Sequence, residues 1–179
     1  MDLRYRRAIH HDLEAIAALH ADSWRRTYRG MYSDAYLDGD LVADRRTVWE
    51  ERLLDGDPRR VLLVAETDGA FAGFVCAYGA ADETWGSLID NLHVARAYQR
   101  LGLGRALMHS AASELNERHA ESPVHLWALE GNTNARTFYE ALGGRNESVA
   151  PHERPGGGMI QVCRYVWERP ASLIAACRP

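Results

Sequence analysis

The chain has 179 residues, 46% of them hydrophobic, and a formal net charge of −4. That length suits one domain with a core of its own, and an acid excess without a basic face excludes general nucleic-acid binding. Cys76, Cys163 and Cys177 form no CxxC pair, which excludes a zinc knuckle or a disulfide framework and fits a reducing cytoplasm.

The elements are read in chain order. The N-terminus, MDLRYRRAIHHDLEAI, is charged but carries no apolar stretch, so it is not a signal peptide, and no later run is long enough to span a membrane. Residues 3–9 read as a strand. HDLEAIAALHADSW then places Leu13, Ile16, Ala17, His20 and Trp24 on one helical face, with Asp12 and Glu14 in the first turn, where the helix dipole favours acids. Residues 33–54 read as further helix. A turn at 55–58 leads to a strand at 60–66, a hairpin signal at Asp68-Gly69, and a returning strand at 70–78.

WGSLIDNLHV is a third long strand, followed by a glycine turn and a helix over about 104–119. SPVHLWALE is a strand and NARTFYEAL a helix closed by Gly143-Gly144. PHERPGGG reads as a loop, MIQVCRYVW as the final strand, and residues 170–179 show no pattern. The expected organisation is a single domain over 1–170 with a tail at 171–179. The order is that of an α/β fold with a mixed sheet. The strand ending at Val94 and the strand near 124 flank one long helix, a crossover that makes them parallel neighbours; the other pairs read as antiparallel.

The glycine turn, QRLGLGR at 99–105, carries the chemistry. The first N–H groups of a helix have no partners and its dipole is positive there, so a phosphate is suited to that end. Gly102 and Gly104 let a ligand approach the backbone, and Arg100 and Arg105 offer charge. The plainer alternative is a tight turn and nothing more. A Walker loop would need Lys-Ser/Thr, and a dinucleotide fingerprint a third glycine; both are missing.

The pattern that fits is Q/R-x-x-G-x-G/A, matched by Gln99, Gly102 and Gly104. With LEGNTNARTFYEALGG, which supplies Asn132, Ala135 and Tyr139, and with SWRRTYRGMYSDAYL, LHV and RYVW in matching places, the chain resembles the GNAT superfamily of N-acetyltransferases over almost its whole length. Arg100 stands where glycine is common in that family, and Leu101 where a basic residue is common. The resemblance implies a mostly antiparallel mixed sheet with helices on both faces and one parallel pair splayed around the cofactor. It implies acetyl-CoA as co-substrate, no metal, and an amine acceptor.

It also implies a set of site residues. Gln99, Arg100, Leu101, Gly102, Leu103, Gly104 and Arg105 would hold the pyrophosphate. Leu92, His93 and Val94 would pair with the pantetheine arm, and Asn132 and Ala135 would touch coenzyme A. Tyr139 is the candidate acid for the leaving thiolate, a phenol of ordinary pKa near 10; packing of the helix on the sheet is the alternative. Asn132 is equally suited to a helix cap.

Six residues before Val94 many relatives carry a glutamate; here that residue is Leu88. Asp90, two residues on and on the same face, becomes the candidate base through water, or else a structural acid. His93 points to the opposite face unless a bulge intervenes. Trp24, Tyr28 and Trp127 are candidate acceptor-binding residues, with Tyr36 and Trp85 near them. Asp34, Asp38, Asp40 and Asp44 would attract a cationic amine, or serve as caps and solvated acids. His10-His11 lacks a third metal ligand. The expected activity is acetyl transfer to a primary amine of a small molecule or peptide by direct attack in a ternary complex. A non-catalytic acyl-CoA sensor and an enzyme using another acyl-CoA are the alternatives, and a homodimer is left open.

Overall fold

A computed structural model describes residues 3–178. In chain order these form β1 (Leu3–Arg7), α1 (Leu13–Thr27), α2 (Asp34–Asp38), α3 (Leu41–Leu54), β2 (Arg60–Thr67), β3 (Ala70–Asp82) and β4 (Gly86–Val94). There follow α4 (Leu103–His119), β5 (Val124–Leu129), α5 (Thr133–Ala141), β6 (Arg145–Glu153), β7 (Met159–Trp167) and α6 (Pro170–Ala176). The strands make one seven-stranded sheet in the order β1-β2-β3-β4-β5-β7-β6. Among the described strands only β4 and β5 run parallel, as the crossover requires.

Two helical layers cover the sheet. On one face Leu103, Leu107, Met108, Ala111, Ala112 and Leu115 of α4 pack on Val61, Leu63, Val75, Ala77, Ile89 and Leu126. On the other, Leu13, Ile16 and Ala17 of α1 and Trp49 of α3 cover Leu62, Val64, Phe74 and Cys76. The apolar stripe read from α1 is therefore the buried one; His20 belongs to it and is 2% exposed. Among the described residues no helix is long and apolar enough to cross a membrane.

Three segments differ from the sequence reading. The helical stretch 33–54 is two helices, because Gly39 and Asp40 are both non-helical and the second restarts the ladder. Ser33 caps α2 by accepting from the Tyr36 N–H, and Asp40 caps α3 by accepting from the Ala43 N–H. Pro151, His152 and Glu153, read as loop, pair with Gln161, Ile160 and Met159 at the end of β6. Proline is tolerated there because β6 is an edge strand. Residues 170–176, read as patternless, form α6: Pro170 starts it, and Leu173 and Cys177 sink into the α4-side core. One turn of apolar spacing is too short to show as a period.

The parallel pair is short. Ser87, Leu88 and Ile89 pair with Val124, His125 and Leu126, after which β4 runs on to Val94 and β5 to Leu129 unpaired with each other. At the same level the β3–β4 register slips: Cys76 faces Asn91 but Ala77 faces Ile89, leaving Asp90 as the extra residue of a bulge. The bulge reverses the parity of everything beyond it. Ile89, Leu92 and Val94 all pack toward α4, while His93 turns to the α1 face beside Phe74 and His20. The condition attached to His93 in the sequence is thus met.

Candidate active site

Where β4 and β5 part, a slot opens through the sheet. At its α4 end Gly102 is the N-cap in the left-handed region (φ 83°), with no side chain capping the helix. The first intrahelical bond runs from the Ala106 N–H to the Gly102 carbonyl at 3.0 Å. The N–H groups of Leu103, Gly104 and Arg105 are left at the mouth, an arrangement suited to an anion. Arg100 is itself left-handed (φ 63°), a conformation that costs a side-chain-bearing residue about 1 kcal/mol. This is the physical reason a glycine suits that position. Arg100→Gly should raise the unfolding free energy by up to about 1 kcal/mol, offset in part by unfolded-state entropy, as read by urea titration.

The rest of the loop divides its work. The Gln99 amide donates to the Val94 carbonyl at 3.0 Å, so the unpaired edge of β4 is held from the loop side. Leu101 is exposed. Arg105 lines the same cavity, and its guanidinium donates to the carbonyls of Ala176 (3.4 Å) and Arg178 (3.2 Å), closing the C-terminal end of α6. A Cβ at Gly104 would meet only Phe138 at 3.6 Å and Val94 at 3.8 Å, ordinary contacts. Both neighbours line the slot, so the protein itself does not require a glycine there. Gly104→Ala should keep or raise stability, by up to about 1 kcal/mol for a helical glycine, while weakening phosphate-ligand binding at least about tenfold. A thermal melt and a calorimetric titration with coenzyme A read the two effects separately.

Across the slot, Asn132 caps α5 by accepting from the Ala135 N–H at 3.2 Å, as its spacing suggested. Two turns on from Asn132 stands Tyr139. A cavity of about 520 Å³ runs from Arg100, Gly102 and Gly104 past Gln99 and Asn132 to Tyr139. On the α1 side a second cavity of about 250 Å³ is lined by Trp24, Tyr28, Trp127, Asp90 and His93, and Leu92 and Tyr139 belong to both. The structure therefore brings the two sets of predicted residues to either side of Tyr139.

Burial sets the protonation states. It pushes the Tyr139 phenol up to about 12 and raises that of Tyr28, and it lowers the His93 imidazole to about 3. His20, stacked 4.5 Å from His93, is likewise pushed down by desolvation and accepts from the Trp49 indole N–H at 2.9 Å through Nδ1. Tyr139 has ring contacts with Phe138, Tyr165 and Trp167 but no hydrogen bond to its hydroxyl among the described residues. Asp90 is engaged: Arg52 of α3 donates to it at 2.6 Å and to Asn91 at 2.8 Å.

The four N-terminal acids are spent elsewhere. Arg29 donates to Asp34 (2.9 Å) and Asp38 (3.1 Å), Asp40 is a cap, and Asp44 accepts from the Tyr36 hydroxyl (2.6 Å) and Arg45 (2.7 Å). The cap-and-surface reading of these acids is the one the structure supports. Sequence reasoning passed over Arg52, Tyr32 and His152, which reach the second cavity or its Asp90 from distant segments and carry no local signal. Among the described residues no group of three or more His, Cys, Asp or Glu side chains is gathered for a metal ion.

A splayed parallel pair beneath an open helix N-terminus is the frame that the sequence resemblance implies, and comparison with known proteins agrees. Residues 13–144 match the model of the acetyltransferase (GNAT) family, and the chain belongs to that family of acyltransferases. It is 30% identical over 133 residues to the uncharacterized N-acetyltransferase YuaI of Bacillus subtilis, 73% of each chain. Among solved structures it is similar to a GCN5-related N-acetyltransferase from Rhodopseudomonas palustris, with a TM-score of 0.73, 18% identity, and 94% and 96% of the two chains covered. The PaiA N-acetyltransferase of Thermoplasma acidophilum, solved with coenzyme A, has a TM-score of 0.68 and 17% identity over 93% of this chain and all of that one.

Proposed function

We propose that this single-domain protein transfers the acetyl group of acetyl-CoA to a primary amine of a small molecule or peptide, by direct attack in a ternary complex in the cytoplasm. The carrying observation is the two-sided slot: an anion-ready helix N-terminus opens one cavity, a second cavity opens behind it, and Tyr139 stands where they meet. PaiA, the similar protein solved with coenzyme A, and three buried free thiols support the co-substrate and the compartment.

Each residue then has a task. The free N–H groups of Leu103, Gly104 and Arg105, with Arg100, take the pyrophosphate, and the unpaired edge of β4 at Leu92–Val94 takes the pantetheine arm as an added strand. A backbone N–H near Val94 polarises the thioester carbonyl. The amine nitrogen attacks that carbon, the C–S bond breaks, and Tyr139 gives its proton to the departing sulfur.

For the amine's proton, the geometry favours His93 over Asp90. Asp90 is held in its ion pair with Arg52, whereas His93 faces the acceptor cavity with no hydrogen-bond partner among the described residues. A neutral imidazole of low basicity takes the proton from the tetrahedral adduct, not from a free ammonium ion; Asp90 is a positioning residue at the bulge.

Calorimetry with coenzyme A, followed by a free-thiol assay with an amine panel, tests the proposal. Binding with amine-dependent thiol release is the expected result. Binding without release for any amine would make the protein a sensor.

A further inference from the structure

The second cavity has an unusual electrostatic wall. Its two tryptophans each have an arginine stacked on the ring: Arg45 lies 4.4 Å from the Trp24 centroid and Arg164 4.3 Å from that of Trp127. Arg164 is also 4.2 Å from Trp85, so it is clamped between two indoles, and its buried Nε has no hydrogen-bond partner among the described residues. Stacking between the indoles, with Asp82 as an electrostatic partner, holds it. A guanidinium on one face draws on the ring's negative quadrupole, so the opposite face has less to offer a second cation. The same contact fixes each indole as a rigid apolar wall.

The acids near these arginines are already engaged: Asp44 pairs with Arg45 at 2.7 Å, and Asp82 lies within electrostatic reach of Arg164. Asp90 is the one carboxylate among the described residues lining the cavity, and Arg52 neutralises it. The four acids of the N-terminal helices are paired or used as caps. The far side of the cavity is bounded by His152 and Pro155. Next to Pro155, Arg154 in the β6–β7 turn donates to the Met31 carbonyl and so ties that turn to the α1–α2 loop.

Building on the acetyltransferase reading, we infer that the acceptor is a small monoamine whose body is aromatic or branched and apolar, and that diamines, polyamines and lysine side chains are poor acceptors. The body packs between Trp24 and Trp127 while the single amine nitrogen reaches toward Tyr139. A second ammonium would enter a cavity whose tryptophan rings are already engaged by arginines and whose one carboxylate among the described residues is already paired.

The test is a thiol-release assay on the intact protein with matched acceptors: phenethylamine, tryptamine and isoamylamine against putrescine, spermidine and a lysine peptide. The expected kcat/KM is at least about tenfold higher for the apolar monoamines, the size of effect a pocket-filling apolar body gives. Arg164→Gln and Arg45→Gln, each checked for unchanged coenzyme A affinity as evidence of folding, should raise turnover of putrescine and narrow that ratio. Preference for a diamine, polyamine or lysine peptide, or a ratio unmoved in both variants, overturns the inference and leaves the acetyltransferase reading standing. Release with no amine at all, from protein that binds acetyl-CoA, overturns both.

Discussion

Tyr139→Phe should lower kcat on the order of 10²–10³-fold while leaving coenzyme A affinity within about twofold. The substitution removes one oxygen from a ring whose contacts with Phe138, Tyr165 and Trp167 all persist. The hydroxyl has no hydrogen bond to lose among the described residues, so stability should hardly change. The loss corresponds to about 3–4 kcal/mol of transition-state stabilisation. Burial holds the phenol at about 12, so it remains protonated and able to donate at any ordinary working pH. The wild-type profile should therefore show no fall from its ionisation below about pH 11. A variant with unchanged kcat would remove Tyr139 from the acid role.

The second large effect separates two residues three apart on β4. His93→Gln should cost about 10²-fold in kcat, whereas Asp90→Asn should cost less than about tenfold, with about 1 kcal/mol of stability for the half-exposed pair with Arg52. The pH profile gives an independent readout. The neutral, proton-accepting form of His93 is the one present above its pKa, and burial puts that pKa at about 3. No inflection is expected near 6.5. Instead kcat/KM for the amine should rise about tenfold per pH unit until the acceptor's own ammonium has titrated, since the amine must arrive neutral. If Asp90→Asn shows the larger kinetic loss with its fold intact, the roles of the two residues exchange.

The difference between what the sequence shows and what it hides lies in the range of the interactions. Gly102 and Asn132 are legible because a left-handed N-cap and an Asx cap are set within three or four residues. The α1 stripe is legible because its period repeats over four turns. The Asp90 bulge is not: it arises from the pairing of β4 with β3 and from Arg52, 38 residues upstream. With it goes the orientation of His93, which alternation alone assigns to the wrong face. The arginine-backed tryptophans are hidden for the same reason, since Trp24 meets Arg45 across two helices and Trp127 meets Arg164 across two strands. Arg100 lies between these cases. Its departure from the family's usual glycine is visible in the sequence, and its positive φ explains what that departure costs.

The bond from Arg105 to the end of α6 has a thermodynamic corollary. The residue that presents an N–H to the proposed pyrophosphate also anchors, through its side chain, the carbonyls of Ala176 and Arg178. Opening of α6 and loosening of the α4 mouth are therefore coupled, so a ligand that binds only the closed mouth should slow the opening of both. Amide exchange over α6, which lies outside the slot, becomes a remote gauge of whether that mouth is occupied.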